Sequence, residues 1–173
     1  MYEQNLVILN EEQLKTIDYI MGASFPWYYQ FGSATTHSFF GHTLVARHPD
    51  NKPIGGIVNS PFAEPILSLF RSYCDQQNIK VKHVIRAAVN LSVRDHDQAA
   101  ILPHQDHEFD HNIFLMCLNS FDYGDTFIYN DNLEIIHRIK QKKHHAVVFK
   151  NVLHTPGMCK LGQRRVMLVV TFV

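Results

Sequence analysis

The chain has 173 residues and a mass of 20.0 kDa, the size of one domain with a substantial core. Its hydrophobic fraction of 46% and charged fraction of 18% suit a globular protein and are too apolar for a disordered one. Lys plus Arg equal Asp plus Glu at 16 each, so there is no global field to draw nucleic acid or an anionic membrane. The opening MYEQNLVILNEEQ lacks the basic and long apolar regions of a signal peptide, and no apolar run reaches the ~18 residues of a membrane span. Cys74, Cys117 and Cys159 are odd in number and far apart, which argues against a disulfide framework and for a reducing, cytoplasmic setting.

In chain order, residues 4–9 predict a short strand, and Asn10 with Gln13 three positions later predicts a capping box. The helix so started carries Leu14, Ile17, Ile20 and Met21 on one face and ends at Gly22. Residues 25–31 (FPWYYQF) read as core, with a substrate lid as the alternative. Residues 47–61, rich in Pro, Gly and Asn, read as loop. Ser60 and Pro61 then predict the start of a second helix reaching about Gln77, with Ile66, Leu67, Leu69, Phe70 and Tyr73 as its apolar side. From there the period becomes alternating, and strands are expected over 80–93, 101–106, 112–119, 126–130, 133–139, 145–150 and 163–173. The expectation is a single domain, with 1–79 as helical support and 80–173 as a β-barrel or sandwich core.

Twelve histidines make metal or proton chemistry worth pursuing. His104 and Asp106 stand one residue apart at the end of an expected strand, where positions i and i+2 share a face and can converge on one ion. His154 would complete a set of two histidines and one carboxylate, which leaves part of a metal's coordination sphere open, as in non-haem Fe(II) oxygenases. H-x-D alone is weak, since about 0.7 are expected by chance at this composition. His48-Pro49-Asp50 is a second instance, in a stretch that reads as a surface turn. On a strand over 163–173, Arg164 shares a face with Val166, Leu168, Val170 and Phe172, a lone charge that needs an anion, while Arg165 points to solvent. Asn90 lies on one face with Arg86 and Ala88. His107, Glu108, Asp110 and His111 read as a solvated loop, and the basic run 137–145 as a solvated hairpin.

The succession of H-x-D, GDTFIY at 124–129, AVVFKNVLH at 146–154 and then G-Q-R resembles the Fe(II)/2-oxoglutarate-dependent dioxygenases. Within them it is most similar to small prolyl-4-hydroxylase-like and phage-encoded members. The resemblance covers roughly 84–173. It implies a mostly β fold with flanking helices, a double-stranded β-helix or cupin-like jelly roll. It implies His104, Asp106 and His154 as iron ligands, Arg164 on the far carboxylate of 2-oxoglutarate, and Asn90, Asn119 and Tyr129 as further cosubstrate contacts. It also implies O2 as partner, ascorbate as an optional reductant, and hydroxylation of an unactivated C–H bond in a peptide side chain or small molecule, with succinate and CO2 released. Here Asp125 replaces the second glycine of the family's G-G pattern, and Val166 stands where some members have serine. A non-catalytic cupin-like metal- or ligand-binding barrel is the competing class.

Overall fold

Asn10 and Gln13 cap each other at the start of α1 (Glu11–Met21). The Asn10 side chain accepts from the Gln13 backbone at 2.9 Å, and the Gln13 side chain accepts from the Asn10 backbone at 3.1 Å. The protein, described here by a computed structural model, is defined over residues 2–31, 38–94 and 102–173. Helix α2 (Ala63–Gln76) begins later than Ser60-Pro61 suggests. The Ser60 hydroxyl is engaged by His42 Nε2 at 2.7 Å and accepts from Phe62 N–H at 3.1 Å, so it shapes the turn before the helix.

The strands are β1 (Asn5–Leu6), β2 (Tyr28–Gln30), β3 (Phe39–Ala46), β4 (Ile57–Val58), β5 (Val84–Val93), β6 (Asn112–Cys117), β7 (Thr126–Tyr129), β8 (Ile135–Ile139), β9 (His145–Lys150), β10 (His154–Pro156) and β11 (Arg164–Phe172). They pair antiparallel in two sheets. The larger runs β1-β9-β6-β11-β5-β3-β2 with β4 beside β3, and the smaller runs β10-β7-β8. The two sheets enclose a cavity, with the helices packed on the outer face of the larger. This is a double-stranded β-helix with flanking helices.

Two apolar layers follow. On the outer face, Ile66, Leu69, Phe70 and Tyr73 of α2 meet Phe114, Leu168, Val170 and Phe172. The Phe70 ring lies 5.1 Å from those of both Phe114 and Phe172. On the inner face, Ile113, Leu115, Cys117 and Met167 meet Ile128 and Ile139 of the smaller sheet. Strands β6 and β11 are thus buried on both faces, which is why their sequences are continuous apolar runs rather than alternating ones.

Several expectations are corrected. The N-terminal part is not only helical, since β1–β4 extend the larger sheet. In β3, Gly41 sits opposite Asn90, and a Cβ there would come within 3.4 Å of the Asn90 Oδ1 and 3.3 Å of the Phe39 ring. The strand expected over 101–106 begins outside the described residues and is reduced to one bridging residue, His104. Residues 133–139 and 145–150 do not pair as a hairpin, because β8 and β9 belong to different sheets. Of the 25–31 aromatics Phe25 is buried, whereas Tyr28, Tyr29 and Phe31 are exposed. No helix among the described residues is long and apolar enough to cross a membrane.

Truncation of Phe114, fully buried against α2, is expected to cost about 3–5 kcal/mol in Phe114→Ala, whereas Leu14→Ala on the exposed side of α1 should cost less than about 1 kcal/mol. Urea denaturation measures both, and equal losses would contradict the layer assignment.

Candidate metal centre

His104 and His154 are brought opposite each other by a backbone bridge. Each donates its N–H to the other's carbonyl at 3.0 Å, and the two rings lie 4.8 Å apart. His154 opens β10, which pairs with β7 through Ile128, so the smaller sheet fixes its position. Asp106 follows two residues after His104, and its Oδ2 lies 3.7 Å from His154 Nε2. One donor atom from each of the three side chains falls within 4.8 Å of the others.

The protonation pattern suits a cation. His154 Nδ1 donates to the Val152 carbonyl at 2.9 Å, and His104 Nδ1 contacts the Leu102 carbonyl at 3.3 Å. In each ring this leaves the Nε2 lone pair for an ion. Burial pulls the His154 pKa below the ordinary imidazole value despite the neighbouring Asp106 carboxylate, so the ring is neutral at neutral pH. Burial works to raise that of Asp106, but His154, Arg86, His104 and His111 outweigh it and hold the carboxyl below its usual range. Among the described residues Asp106 Oδ2 is buried without a hydrogen-bond partner, the arrangement expected of an oxygen reserved for an ion. His48 and Asp50, 3.8 Å apart, instead form part of a partly exposed turn with Lys52.

The three side chains open onto a cavity of about 490 Å³ between the sheets. Asn90 also lines it, with a buried Oδ1 that has no partner. Arg165 reaches it from β11, donating to the Gly124 carbonyl at 2.9 Å and to Thr126 Oγ1 at 3.2 Å. Burial lowers the Arg165 pKa to about 10, which still leaves it charged at neutral pH, and no carboxylate lies within ion-pairing distance among the described residues. Gly124 has φ +69, and a Cβ there would press to 2.8 Å on the Phe121 ring beside the Arg165 stem. The Asp125 that replaces a second glycine is buried and paired with Arg138.

Arg164, expected in the cavity, is not there. It is exposed and donates from Nη2 to the Met21 carbonyl at 3.1 Å, capping the C-terminal end of α1. The even-numbered face of β11 (Val166, Leu168, Val170, Phe172) packs on the helices, and the odd-numbered face (Arg165, Met167, Val169, Thr171) turns to the smaller sheet. Asn119 is also outside the cavity. Its amide donates to the Arg164 carbonyl at 2.8 Å and accepts from Val166 N–H at 2.9 Å, tying down the start of β11. Tyr129 lies on the opposite side of β7 from Thr126 and does not line the cavity.

His107 and His111, expected in a solvated loop, are buried. His107 bonds Thr171 Oγ1 at 2.9 Å, and burial drops its pKa to about 4. Arg165, Arg86, Arg47 and Thr126 are cavity residues not singled out as ligand contacts from sequence. Arg86 was within reach by its shared face with Asn90, and Arg165 by the fact that its face of β11 contains a second polar residue, Thr171.

No family model matches the chain, and no curated protein matches it in sequence. Solved structures do. An oxidoreductase of the 2OG-Fe(II) oxygenase family from Burkholderia pseudomallei superposes with a TM-score of 0.73 at 17% identity, over 99% of this chain and 84% of that one. A Pseudomonas putida prolyl-4-hydroxylase gives 0.60 at 13% over 99% and 91%. A Trichoplax adhaerens prolyl hydroxylase, solved with a hypoxia inducible factor peptide fragment, gives 0.63 at 11% over 99% and 82%. The fold is the one these proteins share, and it is the fold that the sequence resemblance implied.

A divalent ion at about 100 times its dissociation constant should stabilise the protein by about 2.7 kcal/mol. Thermal melts with Co(II) should show this gain in the wild type and in His48→Ala and lose it in His104→Ala and His154→Ala. A gain that survives both latter changes would place the ion elsewhere.

Proposed function

We propose that this chain is an Fe(II)- and 2-oxoglutarate-dependent oxygenase that hydroxylates an unactivated C–H bond and releases succinate and CO2. The observation that carries the reading is one cavity with an open-sided set of two histidines and a carboxylate and, on the same lining, a buried guanidinium lacking an anion. The side chains fit both groups. Among the described residues, Asp106 Oδ2 and Asn90 Oδ1 are buried polar atoms without partners, and Arg165 makes two hydrogen bonds, both to uncharged oxygens.

His104, Asp106 and His154 would hold the iron, and Arg165 would hold the distal carboxylate of 2-oxoglutarate with Thr126 beside it. When bound, iron and 2-oxoglutarate supply the oxidising power, one oxygen atom of O2 entering succinate and the other the substrate. The chain's own contribution is placement. The bridge between His104 and His154 fixes the angle between the two rings, and the carbonyls of Leu102 and Val152 fix their tautomers. Leu115 and Val169 line the cavity with apolar surface that excludes water from the reacting centre. Buried, free Cys74, Cys117 and Cys159 agree with an intracellular, reducing setting. A peptide side chain and a small molecule both remain within the substrate range of this reading. A non-catalytic barrel would bind the metal without consuming 2-oxoglutarate.

Arg165→Gln should weaken 2-oxoglutarate binding by about 2–4 kcal/mol, the loss expected for one member of a desolvated charge pair, while Arg164→Gln should leave it unchanged. Anaerobic titration of the Fe(II) protein with 2-oxoglutarate, followed by the weak visible band of the chelate, gives both affinities. A larger effect of Arg164→Gln, or no band in the wild type, would refute the assignment.

A further inference from the structure

Arg86 and Arg47 also line the cavity, and neither makes a hydrogen bond or an ion pair among the described residues. Arg86 projects from β5 on the face shared with Asn90 and Ser92, and Arg47 follows the end of β3, whose Val45 pairs with Ala87. The Arg47 guanidinium is close enough for its charge to act on Arg86, and both act on His107. Arg86 is also among the charges acting on Asp106, though the two do not form an ion pair. Burial depresses the Arg86 pKa; the Asp106 carboxylate opposes that shift and Arg47 adds to it, so two positive charges share one carboxylate that is also a candidate metal ligand.

Their place in the cavity separates them from Arg165. Arg165 pairs across the sheet with Ser92 and Arg86 with Thr171, so the two arginines are six residues apart along β5, roughly 20 Å at strand rise. They are the two poles of one cavity, with Asp106 near the Arg86 pole. Resting on the oxygenase reading, the charges can be summed. A divalent ion, the Asp106 carboxylate, a dianionic cosubstrate and Arg165 balance to zero, which leaves Arg86 and Arg47 outside the balance.

We propose that Arg86 and Arg47 bind an anionic group, a carboxylate or a phosphate, on the substrate that is oxidised, at the end of the cavity opposite Arg165. The substrate's anion neutralises the pair while the C–H bond to be attacked extends toward the metal ligands. Two guanidiniums, one on β5 and one just past the end of β3, suit a planar or tetrahedral oxyanion better than a single ammonium contact would. Substrates lacking such a group leave this pole uncompensated and are selected against.

The test uses whole protein loaded anaerobically with Mn(II) and 2-oxoglutarate, protein in excess of metal. Paramagnetic relaxation is measured by phosphorus NMR of inorganic phosphate and by carbon NMR of carboxyl-labelled acetate. At least one probe should show saturable relaxation in the wild type, and which one responds assigns the anion class. Affinity should fall about tenfold or more in Arg86→Gln, fall also in Arg47→Gln, and be unchanged in Arg164→Gln. Arg47 is exposed, so its variant keeps the test intact if Arg86→Gln does not fold. No saturable relaxation in the wild type, or equal relaxation in the Arg86 and Arg47 variants, overturns the proposal. The Fe(II)·2-oxoglutarate visible band in the wild type separates the two levels. If it is present without a probe response, the anion pole alone is wrong, and if it is absent, the oxygenase reading falls with it.

Discussion

Asp106 keeps an ionised carboxylate inside the barrel with one oxygen that nothing among the described residues donates to, and His154 Nε2 waits 3.7 Å away. Removing a carboxylate from water without a donor costs several kcal/mol, so the fold must hold it there by force of packing or a cation must compensate it. The surroundings are arranged for the cation. Two imidazoles turned by backbone carbonyls aim their Nε2 atoms toward the same region, and they are locked opposite each other by main-chain hydrogen bonds rather than by flexible side-chain contacts. The bridge between His104 and the first residue of β10 therefore sets the positions of the side chains that would hold a metal.

The larger sheet separates support from chemistry. Its outer face is filled by α1 and α2 through Phe70, Phe114 and Phe172, and its inner face carries Arg86, Asn90, Leu115 and Val169 into the cavity. Adjacent arginines on β11 show the division at single-residue resolution. Arg164 goes to the helix side and caps α1 at Met21, whereas Arg165 goes to the cavity beside Thr126. A one-residue change of register would exchange structural and binding roles. Asn119 guards against that slip by bonding both the Arg164 carbonyl and the Val166 N–H.

Much of this was legible in the chain itself. The capping box at Asn10, both helices, the run of strands after residue 80 and the convergence of His104, Asp106 and His154 follow from spacing and alternation. The choice between Arg164 and Arg165 did not, because a strand buried on both faces gives only a weak polar signal, here Thr171, to set its orientation. The more apolar face of β11 packs on the helices, and the less apolar one turns to the cavity. Strand β3 was hidden by Gly41, whose low strand propensity masks its use as the point where Asn90 approaches closely. The burial of His107 and His111 depends on Thr171 and Phe109 closing over them, a tertiary contact with no local signature.

The cavity is lined by Arg165 near one end of β5 and by Arg86 near the other, with Leu115 and Val169 adding apolar surface and Asp106 beside Arg86. Under the proposed reading, such a space would order two anionic molecules relative to one ion without any contribution from the protein's net charge, which is zero. The most direct measurement is a crystal structure of the protein with Mn(II) and 2-oxoglutarate, using anomalous scattering to locate the ion. The account predicts anomalous density bonded to His104 Nε2, Asp106 and His154 Nε2, with the cosubstrate's far carboxylate on Arg165. An ion bound elsewhere, or a cosubstrate carboxylate that leaves Arg165 uncontacted, would contradict it.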